Sequence, residues 1–284
     1  MEDKTAFGLE REQFVDVLWV KRVIDYVVNR QNTDGGYTFV QSTESNAQDT
    51  YYGLAILDLL KTPFPNAQQT IKLLHEFAPD SLYSHYYISK ALKLCGEDPN
   101  KNLRDFLLSR YSKGEFGTVD VYVEVASEFQ VTFMVTEVVN IIGVGIDREK
   151  TIRWLLRYQN KDGGFGAHGY SNLNSTFYAI TSLFNLGYPV RSLRQTLTYV
   201  RSCEKPSGGF TVIPSSVIPY MEHVYYGVST LDLLGEQLKY PETTALFVLS
   251  CQNANGGFAR TDLGISTFED TFFAVSILRR IGRL

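Results

Sequence analysis

A seven-residue pattern recurs along this chain and narrows what it can fold into. Gln31-Asn32-Thr33-Asp34-Gly35-Gly36-Tyr37, Gln159-Asn160-Lys161-Asp162-Gly163-Gly164-Phe165 and Gln252-Asn253-Ala254-Asn255-Gly256-Gly257-Phe258 are clean copies. Tyr111-Ser112-Lys113-Gly114-Glu115-Phe116-Gly117 and Glu204-Lys205-Pro206-Ser207-Gly208-Gly209-Phe210 are worn ones. First glycines at 114, 163, 208 and 256 set a period of about 45 to 50 residues, the range of helical-pair arrays. The step from Gly35 to Gly114 is about two such periods, so the chain holds six units.

Each unit reads as helix, glycine turn, helix. Phe14, Val17, Leu18, Val20, Val23, Ile24, Val27 and Val28 give a broad apolar face over residues 14–30. The glycine pair ends that helix by adopting turn conformations that residues with a Cβ resist. Asp49-Thr50 then opens a second apolar run, Tyr51 to Leu60, which Pro63 and Pro65 stop. Equivalent second helices are expected at Tyr86–Leu94, Phe133–Ile142, Thr176–Leu186, Tyr225–Leu234 and Phe272–Ile281. The first helix of a unit is amphipathic and carries Lys and Arg, so it belongs outside. The second is nearly all apolar and small, so it belongs inside. Neither end of the array carries a polar capping repeat, which an open superhelix needs. The expectation is all-α: one domain over residues 1–284, an (α/α)6 toroid of six inner and six outer helices.

A formal net charge of -4 argues against nucleic acid as a partner. No apolar run reaches the roughly 18 residues that span a bilayer, and Met1-Glu2-Asp3-Lys4-Thr5 lacks the pattern of a secretory signal. Cys95, Cys203 and Cys251 are odd in number and without CxxC spacing, so they read as buried thiols in a reducing compartment. The expected location is the cytoplasm.

Candidate chemistry lies where the inner helices begin, because equivalent positions form a circle at one mouth of a ring. Two residues before each aromatic pair stand Asp49, Ser84, Val131, Ser175, His223 and Asp270. Glu222 and Glu269 precede the last two. Closure sets unit six against unit one, so Asp270 and Asp49 become neighbours, with Glu222 and His223 beside them. A lone acid at a helix start is accounted for by capping and the helix dipole. Stacked like charges are costly without purpose, so Asp270, Glu269, Asp49, Glu222 and His223 form the candidate catalytic arc. Tyr51, Tyr52, His85, Tyr86, Tyr87, Phe133, Phe177, Tyr178, Tyr225, Tyr226, Phe272 and Phe273 are candidate walls, able to bind hydrocarbon or a cation. Plain packing between helices accounts for one member of each pair.

Gln-x-x-(Asp/Asn)-Gly-Gly-(Phe/Tyr), followed by Asp-Thr or Ser-Thr and an aromatic pair, resembles the prenyltransferase and squalene-cyclase repeat across essentially the whole chain. The resemblance implies an α/α toroid around an apolar funnel and an isoprenoid ligand. Within the motif it leaves the glycines for the turn, the aromatic for packing and the glutamine for local hydrogen bonds. Protein prenyltransferases bind zinc through residues that fall on Tyr220, Glu222 and Asp270, so the zinc trio is not retained. An oxygen-rich set suits Mg²⁺ or Ca²⁺, or no metal. Basic residues for diphosphate are missing from Thr211 to Tyr220, and Asn174 stands where an Arg is common.

The cyclase branch offers an Asp-x-Asp-Asp-Thr stretch, matched loosely by Thr267-Phe268-Glu269-Asp270-Thr271. That branch usually pairs two toroids, and this chain has room for one. Three readings follow: a zinc-free enzyme of the prenyltransferase type, a metal-independent terpene or polyene cyclase with Glu269 or Asp270 as general acid, and a non-catalytic lipid-binding or scaffolding ring. The first implies a helical partner subunit. His85 and His168 also fit structural roles.

Overall fold

The computed structural model describes residues 18–40, 42–79, 81–99, 103, 105–107 and 127–284. Met1 to Thr5, Phe14, Val17 and the worn copy Tyr111 to Gly117 lie outside the described residues.

Six helices line the inside of a ring: α2 (Ala47–Leu59), α4 (Leu82–Leu94), α5 (Glu128–Ile142), α7 (Leu173–Asn185), α9 (Met221–Leu234) and α11 (Phe268–Arg280). Each packs on the next in chain order, and α11 packs on α2, closing the circle. The outer layer holds α1 (residues 18–28), α3 (Ala67–Glu76), helical residues at 103 and 105–107, α6 (Arg148–Leu156), α8 (Arg194–Cys203) and α10 (Pro241–Ser250). Amphipathicity sorts the layers as anticipated. Among α3's residues only Thr70 and Leu74 are buried, whereas α2 is buried continuously from Asp49 to Leu57.

The inner helices begin one turn earlier than the aromatic runs suggest. The caps are Asn46, Ser81, Ser127, Asn172 and Thr267, each accepting the backbone N–H three residues on. Asp49 and Asp270 are therefore the third helical residues, not the caps. Tyr220 opens α9 without a side-chain cap; there the Met221 N–H donates to the Arg260 carbonyl at 3.0 Å.

The glycine motif closes the ring through its contacts. In the clean copies the fourth residue forms an Asx turn, Asp34, Asp162 and Asn255 accepting from the N–H of Gly36, Gly164 and Gly257. The first glycine, at φ +86°, +89°, +105° and +93° for Gly35, Gly163, Gly208 and Gly256, lies against the next outer helix. A Cβ there would overlap backbone atoms of Thr70, Gln195, Thr243 and Arg22 respectively. The last of these is on α1, so the sixth turn docks on the first outer helix. The glutamine tethers the same joint: Gln31 and Gln159 donate to Thr70 and Thr196, and Gln252 donates to the Trp19 carbonyl. Glu204 replaces the glutamine in the fifth unit, accepting instead from the Lys239 and Tyr240 N–H groups at the start of α10.

The motif aromatic points inward. Tyr37, Phe165, Phe210 and Phe258 are fully buried between the layers. The N–H groups of Tyr37, Phe165 and Phe258 donate to Thr50, Thr176 and Thr271. The threonine of the Asp-Thr or Ser-Thr pair is thus spent on the joint between turn and inner helix. Among the cysteines, Cys203 and Cys251 are buried free thiols, while Cys95 is half-buried. No helix among the described residues is long and apolar enough to cross a membrane.

Candidate functional site

The inner helices enclose a cavity of about 240 Å³ along the ring axis. This is near the ~300 Å³ lower end of small-molecule sites. Its wall is ordered in layers by the repeat, since equivalent positions of the inner helices lie at one height. Both members of five aromatic pairs, Tyr51-Tyr52, Tyr86-Tyr87, Phe177-Tyr178, Tyr225-Tyr226 and Phe272-Phe273, face the cavity, as do Phe133 and Met134 at the same positions of α5. The rings interlock around the circle, with Phe177 stacked on Tyr226 at 4.5 Å and Tyr225 on Phe273 at 4.5 Å.

One acid enters this aromatic space from the end where the inner helices begin. Glu269, the second residue of α11, lines the cavity, and its Oε1 accepts from the Tyr52 hydroxyl at 2.9 Å. Tyr52 in turn meets the Tyr87 hydroxyl at 3.3 Å. Burial among the rings pushes the Glu269 carboxyl above the usual range, opposed by the Tyr52 bond and reinforced by Glu222 and Asp49.

The rest of the expected arc is close by but employed elsewhere. Adjacent helical residues diverge by about 100°, so Asp270 turns away from the lumen. Its Oδ2 accepts from the Thr267 hydroxyl at 2.8 Å, and burial lifts its carboxyl to about 7. Asp49 accepts from the Phe39 N–H at 3.0 Å and from Asn46 at 2.8 Å. Glu222 is ion-paired with Arg260, whose guanidinium lies 4.2 Å over the Tyr220 ring. His223 is buried beside Tyr220, with Nε2 3.9 Å from Glu222, and burial lowers its pKa. His85 is buried against Phe106, 4.3 Å between rings, and does not line the cavity. His168 lies in an exposed turn. Neighbouring helices bring the five arc residues to one sector of the ring, and of these only Glu269 reaches the lumen.

The three positions that the resemblance sets against a zinc trio are engaged with other groups. Tyr220 lies beneath Arg260, Glu222 is paired with it, and Asp270 is capped, leaving neither thiolate nor imidazole among the three. No group of three or more His, Cys, Asp or Glu side chains is arranged to hold a metal among the described residues.

The opposite half of the lumen holds residues that the reading of the mouth passed over. Lys90 on α4 donates to Glu137 Oε2 on α5 at 2.5 Å and to the Tyr86 hydroxyl at 3.0 Å. Further along, Arg280 Nε lies 3.6 Å from Asp232. Thr181, Ser229 and Leu233 complete this half of the wall, while Gln130 lines it at the height of Glu269. Counting four residues on from the first aromatic of each pair yields Ala55, Lys90, Glu137, Thr181, Ser229 and Ser276. This second circle was available to the same alignment. Glu269 and Arg280 are about 16 Å apart along the axis at 1.5 Å per residue.

A ring of six inner and six outer helices with an aromatic lumen defines a class, and family comparison names it. The prenyltransferase alpha-alpha toroid domain matches residues 9–80, 75–217 and 120–283, and the chain belongs to that family. No curated protein matches the sequence.

Among solved structures, the chain is similar to Candida albicans protein geranylgeranyltransferase-I complexed with GGPP. The TM-score is 0.73 at 17% identity, over 92% of this chain and 90% of that one. It is also similar to a substituted form of the type II terpene cyclase MstE from Scytonema in complex with geranylgeranyl dihydroxybenzoate. There the TM-score is 0.63 at 12% identity, over 97% of this chain and 100% of that one. A protein from Actinoplanes matches with TM-score 0.59 at 17% identity, over 94% and 99%. At these identities the likeness establishes the fold alone. The Scytonema cyclase structure is matched along its whole length by a chain of this size.

Proposed function

We propose that this protein is a metal-independent polyene cyclase of the type II kind, in which Glu269 protonates an isoprenoid alkene. One observation carries the reading: a carboxyl held up in pKa by burial, hydrogen-bonded by Tyr52, at the head of an aromatic lumen.

Burial favours the protonated form of this carboxyl, the form a general acid needs. Transfer of its proton to a terminal alkene forms a C–H bond and leaves a tertiary carbocation. The next double bond of the folded chain attacks that cation. The last cation of the series loses a proton from an adjacent carbon to form an alkene, while the Glu269 carboxylate regains its proton from solvent before the next turnover. The rings of the central layers face the migrating charge and stabilise it through their quadrupoles. Tyr52, donating to Oε1, stabilises the carboxylate that remains, which makes the buried acid a better proton donor.

Prenyl transfer is supported less well by the same lumen. An allylic diphosphate needs free cations, whereas Lys90 is paired with Glu137 and Arg260 with Glu222. At the mouth Asp49 and Asp270 are bonded to the caps Asn46 and Thr267, and Glu222 is paired with Arg260.

The test is incubation of the purified protein with farnesol and geranylgeraniol, followed by mass spectrometry of cyclised products. Glu269→Gln is expected to lower turnover at least about a hundredfold with the helical spectrum unchanged, while Asp270→Asn keeps most of it. Full turnover by Glu269→Gln sinks the proposal. Diphosphate-dependent prenyl transfer that survives the same substitution returns the protein to the transferase reading.

A further inference from the structure

Resting on the cyclase reading, we infer that the substrate is an isoprenoid with an uncharged hydroxyl head, held by Thr181 and Ser229 in the half of the lumen away from Glu269. Thr181 on α7 and Ser229 on α9 occupy equivalent positions of their repeats, one turn past the aromatic layer, and both line the cavity. They are 9% and 5% exposed, and neither hydroxyl has a hydrogen-bond partner among the described residues.

That lack of partners sets them apart from their neighbours. A buried helical Ser or Thr ordinarily donates to the carbonyl four residues back. Ser182 does so to Tyr178, Thr230 to Tyr226 and Ser89 to His85, each at 2.7 Å. Thr181 and Ser229, turned to the lumen, do not. A buried hydroxyl without a partner costs about 1–3 kcal/mol, so two at one height on the wall point to a ligand that supplies the missing bonds. Other buried polar atoms without partners, such as those of Trp19, Tyr26 and Tyr199, lie off the cavity wall.

Charge selects the kind of head. The same half of the lumen holds Lys90 with Glu137 and Arg280 with Asp232, two cations and two anions. A balanced set provides no surplus positive charge for a diphosphate or carboxylate, and its shortest pair, at 2.5 Å, is already closed. A neutral hydroxyl both donates and accepts, which matches two side chains of the same chemistry. With that head held at this level, the hydrocarbon extends through the aromatic layers toward Glu269.

Binding separates this inference from the chemistry. Dissociation constants are measured by calorimetry for geranylgeraniol, its hydrocarbon analogue without the hydroxyl, and geranylgeranyl diphosphate, in the Glu269→Gln background so that turnover does not intervene. The alcohol is expected to bind about tenfold tighter than the other two. Thr181→Val and Ser229→Ala are each expected to weaken alcohol binding about five- to tenfold, with hydrocarbon affinity unchanged. Melting temperature is not expected to fall in either variant, since the hydroxyl removed makes no bond. Equal affinity for alcohol and hydrocarbon, tighter binding of the diphosphate, or variants that bind the alcohol like the parent would each overturn the inference. Alcohol binding as expected, with no cyclised product from the unsubstituted protein, would leave the inference standing and remove the cyclase.

Discussion

Glu269 and Asp270 are adjacent in sequence, yet one faces hydrocarbon and the other a helix cap. Their predicted behaviours differ accordingly. Tyr52→Phe removes the bond that lowers the Glu269 pKa. The high-pH limb of the rate profile should therefore move upward while the maximal rate falls, about tenfold for loss of one bond to a developing charge. A downward move would contradict the assigned geometry. Asp270 makes a stability prediction instead. Its folded pKa, about 7, exceeds the ordinary 3.8. Between those values the native state keeps a proton that the unfolded chain has released, so Asp270 withdraws stability as pH rises from about 4 to 7 and no further beyond. Asp270→Asn should thus gain on the parent across that window, read from urea midpoints at its two ends. Sequence alone marked both acids as neighbours of Asp49, Glu222 and His223. It did not reveal that Thr267 and Asn46 are the true caps, because a cap three residues upstream of an Asp-Thr pair looks like loop.

At the level of the helix and its turn, the two kinds of left-handed glycine make separate predictions. Gly163 has φ +89° and no room, its missing Cβ occupied by the Gln195 backbone. Gly187 has φ +82° and open space around it, ending α7 with Tyr188 N–H bonded to the Leu183 carbonyl. Gly187→Ala should cost about 1 kcal/mol, the conformational term alone. Gly163→Ala adds overpacking against a neighbouring helix and should cost about 3 kcal/mol. Chemical denaturation of the two variants measures the difference, and equal losses would mean that docking is not what the motif glycine serves. The pattern was legible as a turn signal. That its first glycine is shaped by the following unit was not, since the contact joins residues more than thirty positions apart.

For the molecule as a whole, the seam between Gly256 and Arg22 decides whether the ring behaves as a ring. Arg22 donates to the Asn253 carbonyl at 2.7 Å, and α11 packs on α2 across the same boundary. Gly256→Ala should therefore accelerate amide exchange in α1 and α2 as well as in α10 and α11, which hydrogen-exchange mass spectrometry resolves. Acceleration confined to the last two helices would describe an open array instead. Closure was legible in the count of six units. The lumen was legible only in part: the aromatic layers follow from one alignment, whereas Lys90, Glu137, Thr181 and Ser229 look like ordinary helical residues until the circle is drawn one turn further on.

A wall built from equal repeats separates two dimensions of molecular recognition. The girth of what fits is set by the number of inner helices, a quantity that changes only by gaining or losing a whole unit. Reach along the axis is set one layer at a time, by single substitutions such as the Met134 that interrupts the second tier of rings. Related rings can thus diverge in the length and terminus of the molecule they accept while its cross-section stays constant.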